Sequence, residues 1–204
     1  MTGTDKFSPL VALTLAPVLV VSGLLLTVTH HLTKSRIAEN RQEATLKVLR
    51  PIIPGQYDND VFKDTIHVSE PGFLGTDRPV TVYRSRNGDT PLGLVFSPVF
   101  AEGYNGPIQL GIGISRGGTV TGVRIMHEEE TEGLGAEVNQ QNSDWVMAFT
   151  DQSYQTVPRE QWDVSSENGY FDQISGATIT SRSVINAVRN TLDYHDLAGE
   201  SLYK

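Results

Sequence analysis

The clearest candidate for chemistry in this chain is the stretch from Asp172 to Ser181, which combines small residues with several hydroxyls. Apolar residues recur on one helical face directly after it and predict an amphipathic helix from Ser181 to about Tyr194. Backbone N–H groups at a helix start lack partners, and the helix dipole favours an anion there. A hydroxyl at this point could therefore lie beside a phosphate or become esterified to one. Alternatively, Thr180 or Ser181 is simply an N-cap that accepts the first free N–H bonds.

A second candidate is the acidic segment from His127 to Gly135, which follows directly on a predicted strand. Its His and carboxylates would suit a metal ion, although successive strand residues point to opposite faces. It could equally be a solvated turn. As half of a ligand pocket, Gly133 and Gly135 would let the backbone approach a flat ring, with Leu134 packed against it. The residues alone leave these three interpretations open.

The segment Glu102–Pro107 is a turn by composition, and it is either a plain loop or a pocket rim on which Tyr104 offers an aromatic face. No Gly-x-Ser-x-Gly elbow is present, because Ser175 has glycine on one side only. Thr178 lacks an evident base, so a second enzyme is expected to activate its hydroxyl. We therefore predict no catalytic acid or base in this chain, and for 127–135 we favour the two interpretations that hold no metal ion.

Charge and composition exclude several functions. Residues 1–50 carry six Lys/Arg against three Asp/Glu, whereas residues 51–204 carry ten against twenty-one. A domain with this excess of negative charge is not expected to bind nucleic acid. A bound phosphate would need local hydrogen-bond donors or a covalent bond. The absence of cysteine excludes disulfides, thiolate catalysis and Cys-ligated iron–sulfur clusters. An electron carrier would have to be an organic cofactor, or a metal held by His and carboxylates.

The N-terminal region predicts a membrane anchor. Residues 7–33 carry no formal charge, and we predict a tail at 1–9 and a transmembrane helix at 10–32. A cleaved signal peptide is the alternative, but its apolar region would be shorter and would end in a small-x-small cleavage site. More Lys/Arg follow the span than precede it, which by itself favours a cytoplasmic body.

A helical stalk is predicted at residues 33–50, ended by Pro51 and Pro54, with a globular domain at 51–204. Gly111 and Gly113 do not form a dinucleotide-binding loop, because a hairpin follows them rather than a helix. Strands in hairpins before one C-terminal helix predict an α+β fold. The predicted strands are 64–69, 79–86, 92–100, 108–115 and 119–126, and a short helix at 143–150 is predicted to be capped by Ser143 or Asn142.

The segment Asp172–Thr178, ending in Ser-Gly-Ala-Thr, resembles the flavinylation motif of membrane redox complexes. With the N-terminal apolar segment, the chain resembles the G subunit of the Rnf electron-transport complex over nearly its whole length. The C subunit of the Na⁺-translocating NADH:quinone reductase shares the motif but is usually longer. The further segments that carry the resemblance are Gly103–Ile108, Glu130–Gly135, Ser143–Trp145 and Phe171–Arg189.

The resemblance implies that Thr178 carries FMN through a phosphoester bond, installed by a flavin transferase with FAD as donor. It also implies that Ser175, Gly176 and Ala177 form the turn that receives the phosphate. The residues implied to contact the isoalloxazine are Glu130, Thr131, Gly133, Leu134 and Gly135, with Tyr104 on the rim. The family often has proline where this chain has Glu132, whose carboxylate would disfavour the reduced anion if it faced the ring.

The resemblance further implies a bacterial inner-membrane protein with a periplasmic body, against the charge-based expectation. Its implied partners are the lipid bilayer and the membrane and iron–sulfur subunits of the complex. The expected function is a membrane-anchored flavoprotein that passes electrons within an ion-translocating complex, without stand-alone catalysis. The alternatives are the C subunit of the quinone reductase and a non-redox, membrane-tethered adaptor whose Ser175–Ser181 stretch is only a helix cap.

Overall fold

The computed structural model describes the backbone of residues 9–204 and the side chains of residues 15, 17–34 and 43–204. Residue contacts divide the chain into two units, with the division between Thr45 and Leu46. The predicted tail therefore lies outside the described residues except for Pro9. The folded body begins a few residues before the boundary predicted at residue 51.

A single helix, α1 (Pro9–Leu49), covers both the predicted anchor and the predicted stalk. It ends where expected, because Pro51 cannot continue a helix, and a 3₁₀ turn at Arg50–Ile52 follows. Large apolar side chains along this helix, from Leu15 to Leu32, are exposed. Among the residues that the structure describes, no helix is both long enough and apolar enough to cross a membrane. The predicted span at 10–32 lies partly outside those side chains and stays a prediction.

Five antiparallel strands form one sheet in which each strand pairs with the next along the chain. Turn residues such as Gly88, which has a positive φ of 56°, join them into a meander. The prediction of an α+β fold with hairpin strands is confirmed, and each predicted strand end is correct to within two residues. The strands are β1 (Thr65–Val68), β2 (Val80–Asn87), β3 (Thr90–Glu102), β4 (Pro107–Ser115) and β5 (Val120–His127).

Alternating residues place an apolar layer on each face of the sheet. In β3, Leu94 and Phe96 belong to the main core, whereas Val95 between them belongs to a second cluster. The short helix α2 (Pro71–Leu74) contributes Leu74 to the main core. Helix α3 (Thr178–Ala198) packs into the same core through the face predicted from the sequence. The four apolar residues of that face are Val184, Ile185, Val188 and Leu192.

The second cluster explains the glycines of β4. Leu49 and Ile52 lie on the other face of the sheet, where a Cβ on Gly111 would meet the Leu49 side chain. A Cβ on Gly113 would clash with the Ile52 carbonyl oxygen, which accepts a hydrogen bond from the Thr121 hydroxyl at 2.6 Å. These glycines are required for close packing of the segment after α1. The rejection of a dinucleotide loop was correct, and packing is the physical reason for the glycines.

The chain between β5 and α3 is mostly irregular, with short 3₁₀ turns. The helix predicted at 143–150 is such a turn, Trp145–Phe149. Its N-cap residue is Asp144, so the predicted cap at Ser143 or Asn142 is wrong, although Ser143 Oγ accepts a hydrogen bond from the Trp145 N–H at 3.2 Å. Phe149 packs on Phe171 at 4.7 Å between ring centroids, which fixes the chain leading to α3.

Candidate functional site

A cavity of about 490 Å³ opens where three parts of the chain meet. These parts are the loop between β3 and β4, the loop after β5, and the first turn of α3. A volume of this size is typical of pockets for small molecules and cofactors. The residues lining it are Tyr104, Glu130, Thr131, Leu134, Gly135, Gly176, Ala177, Thr178, Ile179 and Thr180.

The start of α3 leaves backbone donors free. Its N-cap residue is Ala177, no side chain caps it, and the first amide bonded into the helix is that of Ser181, which donates to Ala177 O at 3.0 Å. Within the described part of the chain, the N–H groups of Thr178, Ile179 and Thr180 have no acceptor. Three free donors at the positive end of a 21-residue helix make a favourable place for an anion.

The expected N-cap at Thr180 or Ser181 is wrong, because both hydroxyls are used elsewhere. Thr180 is 1% exposed, and its hydroxyl donates to Glu130 Oε2 at 2.8 Å. Ser181 is fully buried; its hydroxyl donates to Ala177 O and accepts the Ile174 N–H, both at 3.0 Å. Neither side chain forms a hydrogen bond with the free N–H groups. The helix begins at Thr178, three residues earlier than predicted.

Thr178 differs from both neighbours. It is the first residue of α3, it is partly exposed, and it lines the cavity. Unlike the hydroxyl of Thr180, its hydroxyl has no hydrogen-bond partner among the side chains and backbone atoms that the structure describes. Of the two threonines Thr178 and Thr180, Thr178 is therefore the one whose oxygen is available for reaction.

The segment before Thr178 is held at two points. The Trp145 indole N–H donates to Asp172 O at 2.6 Å, and the Ile174 N–H is bound by Ser181. Gly176 then turns the chain with φ of 76°, a conformation that glycine adopts without strain. A Cβ on Gly176 would lie 2.9 Å from Leu134 Cδ2, so the absence of a side chain also lets the two cavity walls approach.

The loop after β5 enters the cavity through its Glu130–Gly135 part. Glu130 accepts hydrogen bonds from Thr180 and, at 2.8 Å, from the Asn105 N–H. Thr131 Oγ1 accepts from Asn105 Nδ2 at 3.1 Å. Glu132 is exposed and is not among the residues lining the cavity. Among the described side chains, no group of three or more metal-ligating residues is placed to hold a metal ion.

The surroundings of the cavity contain few positive charges. The sequence has no Lys or Arg at residues 87–115, 125–158 or 160–181, which include all the cavity-lining segments. No Lys or Arg in the described region forms a salt bridge with the carboxylates of 128–132, and Glu129 Oε1 lies 3.4 Å from His127 Nε2. A phosphate here would be held by backbone donors rather than by cationic side chains.

A polar cluster attaches the irregular chain between β5 and α3 to α3 itself. Arg159 donates from Nε and Nη2 to the two Asp193 oxygens at 2.8 and 2.7 Å, and the Tyr154 hydroxyl donates to the same carboxylate at 2.7 Å. Burial opposes ionisation of Asp193, but the hydrogen bonds from Arg159 and Tyr154 outweigh it and lower the Asp193 pKa. Burial, with the neighbouring Asp193 carboxylate, raises the pKa of Tyr154.

Most residues expected from the sequence come together in the cavity. Ser175 and Gly133 belong to the same loops but do not line it. Two lining residues, Ile179 and Thr180, were missed, because the helix was expected to start at Ser181. The sequence near Thr180 does not indicate that this residue lines a cavity, because its hydroxyl is bonded to Glu130, fifty positions earlier.

Comparison with protein families defines the class. Residues 103–193 match the family model of the FMN-binding domain, which includes every segment lining the cavity. Residues 10–52 match the model of the RnfG N-terminal region. The chain therefore contains an FMN-binding domain, preceded by a region that matches the N-terminal region of RnfG proteins.

Curated relatives specify the family. The G subunit of the ion-translocating oxidoreductase complex of Pseudoalteromonas atlantica is 36% identical over 186 residues, covering 91% of this chain and 86% of that protein. The corresponding G subunits of Shewanella amazonensis and Vibrio cholerae are 38% and 35% identical, covering 78% and 85% of this chain and 75% and 83% of theirs. The chain belongs to the family of G subunits of ion-translocating oxidoreductase complexes.

The solved structure of the C subunit of the Na(+)-translocating NADH-quinone reductase from Parabacteroides distasonis has a similar fold. The two chains are 20% identical, with a TM-score of 0.50 over 82% of this chain and 96% of the other. At this identity the likeness concerns the fold alone. The curated relatives favour the G-subunit interpretation over the C-subunit alternative.

Proposed function

We propose that this protein carries FMN covalently on Thr178 and passes electrons within an ion-translocating oxidoreductase complex. The observation that carries the proposal is the contrast between Thr178 and Thr180. The Thr178 hydroxyl is free on the cavity wall, whereas the Thr180 hydroxyl is bonded to Glu130. FMN would supply the electron-transfer chemistry, and the protein would bind and orient it.

The cavity suits the parts of FMN. A phosphate on Thr178 would lie at the start of α3, where three N–H groups lack acceptors. Gly176 has no side chain to obstruct that end of the cavity. Tyr104 and Leu134 are 74% and 44% exposed and offer apolar surface for a flat ring. A cavity of about 490 Å³ accommodates a ligand of this class.

Covalent attachment also has a physical rationale here. The cavity-lining segments contain no Lys or Arg, so they offer no cationic side chain to retain an anionic phosphate. The backbone donors orient the phosphate, but the Glu130 carboxylate lines the same cavity. An ester bond makes retention of the cofactor independent of this weak electrostatic attraction.

In the proposed attachment step, Thr178 Oγ1 attacks the FMN-side phosphorus of FAD. The Oγ1–P bond forms, the phosphoanhydride bond breaks, and AMP leaves with no change of oxidation state. The hydroxyl proton must go to a base. Among the described residues no side chain forms a hydrogen bond with that hydroxyl, and the nearby Glu130 carboxylate is already bonded to Asn105 and Thr180. A separate flavin transferase is therefore required to supply the base.

We further propose that residues 10–32 anchor the protein in the bacterial inner membrane, with the body in the periplasm. The support for the anchor is the uncharged run at 7–33 and the match to the RnfG N-terminal region. The periplasmic side rests on the family resemblance, against the charge distribution. A reporter fused after Lys204 that is active only in the cytoplasm should be inactive, and an active fusion would contradict this orientation.

The attachment is tested by co-expressing the full-length protein with a flavin transferase. The intact mass should rise by one FMN less one water, and a denaturing gel should show a fluorescent band. Thr178→Val, which removes the hydroxyl but keeps the shape, should abolish both signals, and Thr178→Ser should retain them. Thr180→Val should remain flavinylated. A wild-type protein without covalent flavin, or labelled Thr178→Val, would refute the proposal; an unlabelled wild type would leave the adaptor alternative.

A further inference from the structure

Glu130 joins the three parts of the chain that form the cavity. It belongs to the loop after β5 and lines the cavity. Its Oε1 accepts the Asn105 N–H at 2.8 Å from the β3–β4 loop, which carries Tyr104. Its Oε2 accepts the Thr180 hydroxyl at 2.8 Å from the first turn of α3, which carries Thr178. One carboxylate therefore connects the β3–β4 loop, the loop after β5 and the helical turn that carries the proposed attachment residue.

Two glycines make room for this carboxylate. A Cβ on Gly103 would lie 2.5 Å from Glu130 Oε1. A Cβ on Gly135 would clash with Oε2 and would lie 2.9 Å from Glu130 Cβ. Contacts this short are not tolerated between real side chains, so both positions must lack a Cβ while the carboxylate lies between them. The backbone on each side is thus shaped around Glu130.

The negative charge of Glu130 lies close to the start of α3 and to the cavity. A carboxylate near the first turn of a helix interacts favourably with the helix dipole. No Lys or Arg in the described region neutralises it, and a negative charge beside a redox group makes the addition of an electron less favourable. The group that positions the site therefore also influences its electrostatics.

We propose that Glu130 is a positioning residue: its carboxylate latches the β3–β4 loop to the start of α3, and its charge lowers the reduction potential of the flavin. The inference rests on the proposed function, since it concerns flavin on Thr178. It also differs from the expected direct contact of the Glu130 side chain with the ring, because both carboxylate oxygens are bonded to the protein.

Two substitutions separate the latch from the charge. In Glu130→Gln, the amide oxygen can accept the Asn105 N–H while the amide N–H₂ donates to the Thr180 oxygen, so the latch remains without its charge. Glu130→Ala removes both. Thr180→Val removes one half of the latch and keeps the charge. Glu132→Gln is the matched charge control, because Glu132 is exposed, does not line the cavity and is screened by solvent.

The experiment uses the full-length protein with flavin transferase and FAD. We expect Glu130→Ala, which loses both hydrogen bonds to a charged group, to incorporate flavin roughly tenfold more slowly. Thr180→Val should be slowed less, and Glu130→Gln should stay within about twofold of wild type. In a potentiometric titration, flavinylated Glu130→Gln should have a more positive midpoint potential than wild type and than Glu132→Gln. A purely structural role would not move this potential.

Hydrogen exchange at the Asn105 amide tests the latch without any flavin. Protection should fall in Glu130→Ala and persist in Glu130→Gln. Unchanged exchange or unchanged incorporation in Glu130→Ala would overturn the latch, and equal potentials in the Glu130→Gln and Glu132→Gln proteins would overturn the charge effect. Absence of flavin from the wild type would instead refute the proposed function and with it the effect on potential, while exchange at Asn105 would still decide the latch.

Discussion

Replacing Gly113 with alanine tests the packing of the segment after α1 on the sheet. The added methyl group would clash with the Ile52 carbonyl oxygen and with Thr121 Oγ1. Overpacking of this kind costs about 1–3 kcal/mol. Loss of the hydrogen bond between Thr121 and Ile52 would add about 0.5–1.5 kcal/mol. Reduced freedom of the unfolded chain offsets about 0.4–1 kcal/mol, so we expect a net loss of about 0.5–4 kcal/mol, with a central value of about 2 kcal/mol.

The assay is denaturant unfolding of the full-length protein in detergent, followed by tryptophan fluorescence. Both tryptophans, Trp145 and Trp162, lie in the folded body, so the signal reports on that unit. Gly117→Ala is the matched control: no atom is closer than 3.9 Å to a Cβ there, and its φ is outside the left-handed region. It should be neutral or slightly stabilising. If Gly113→Ala unfolded at the same denaturant concentration as Gly117→Ala, the packing explanation would be refuted.

Two further predictions concern the site and its support. Gly176→Ala and Gly133→Ala should each lower the free energy of unfolding by about 1–2 kcal/mol, because both glycines have positive φ. In a labelling assay only Gly176→Ala should also reduce flavin incorporation, because its added Cβ would press on Leu134 in the cavity wall. Asp193 has a lowered pKa, so its stabilisation is present above the unfolded pKa of about 3.9 and is lost as pH falls through the folded value. Asp193→Asn should therefore lower the free energy of unfolding by about 1–2 kcal/mol at pH 7, after allowing for the exposure of Arg159. It should also flatten the acid side of a profile of stability against pH. An unchanged acid side would contradict this account.

The sheet was predictable because its signals are local. Alternating apolar residues and turn glycines lie within a few positions of one another, and they located all five strands. The end of α1 was equally local, since Pro51 stops the helix directly. The amphipathic face of α3 was also correct, because its four apolar positions share one helical face and form part of the core.

What the sequence could not provide was the pairing of distant residues. A hydroxyl cap at Thr180 or Ser181 predicts too late a start for α3, because Ala177 is the N-cap and the Thr180 hydroxyl is bonded to Glu130. The role of Gly113 depends on Ile52, which is more than sixty positions earlier. In both cases the local pattern was compatible with several partners, and only the three-dimensional arrangement selects one.

The most direct test of the central claim is to locate the flavin within the protein. Trypsin cuts after Arg159 and Arg182 and leaves the whole motif in the peptide 160–182, which has no internal Lys or Arg. Fragmentation of this peptide from the flavinylated protein should place the added mass on Thr178: absent from N-terminal fragments that end at Ala177 and from C-terminal fragments that begin at Ile179. An addition on Ser175 or Thr180, or an unmodified peptide from protein co-expressed with the transferase, would contradict the assignment.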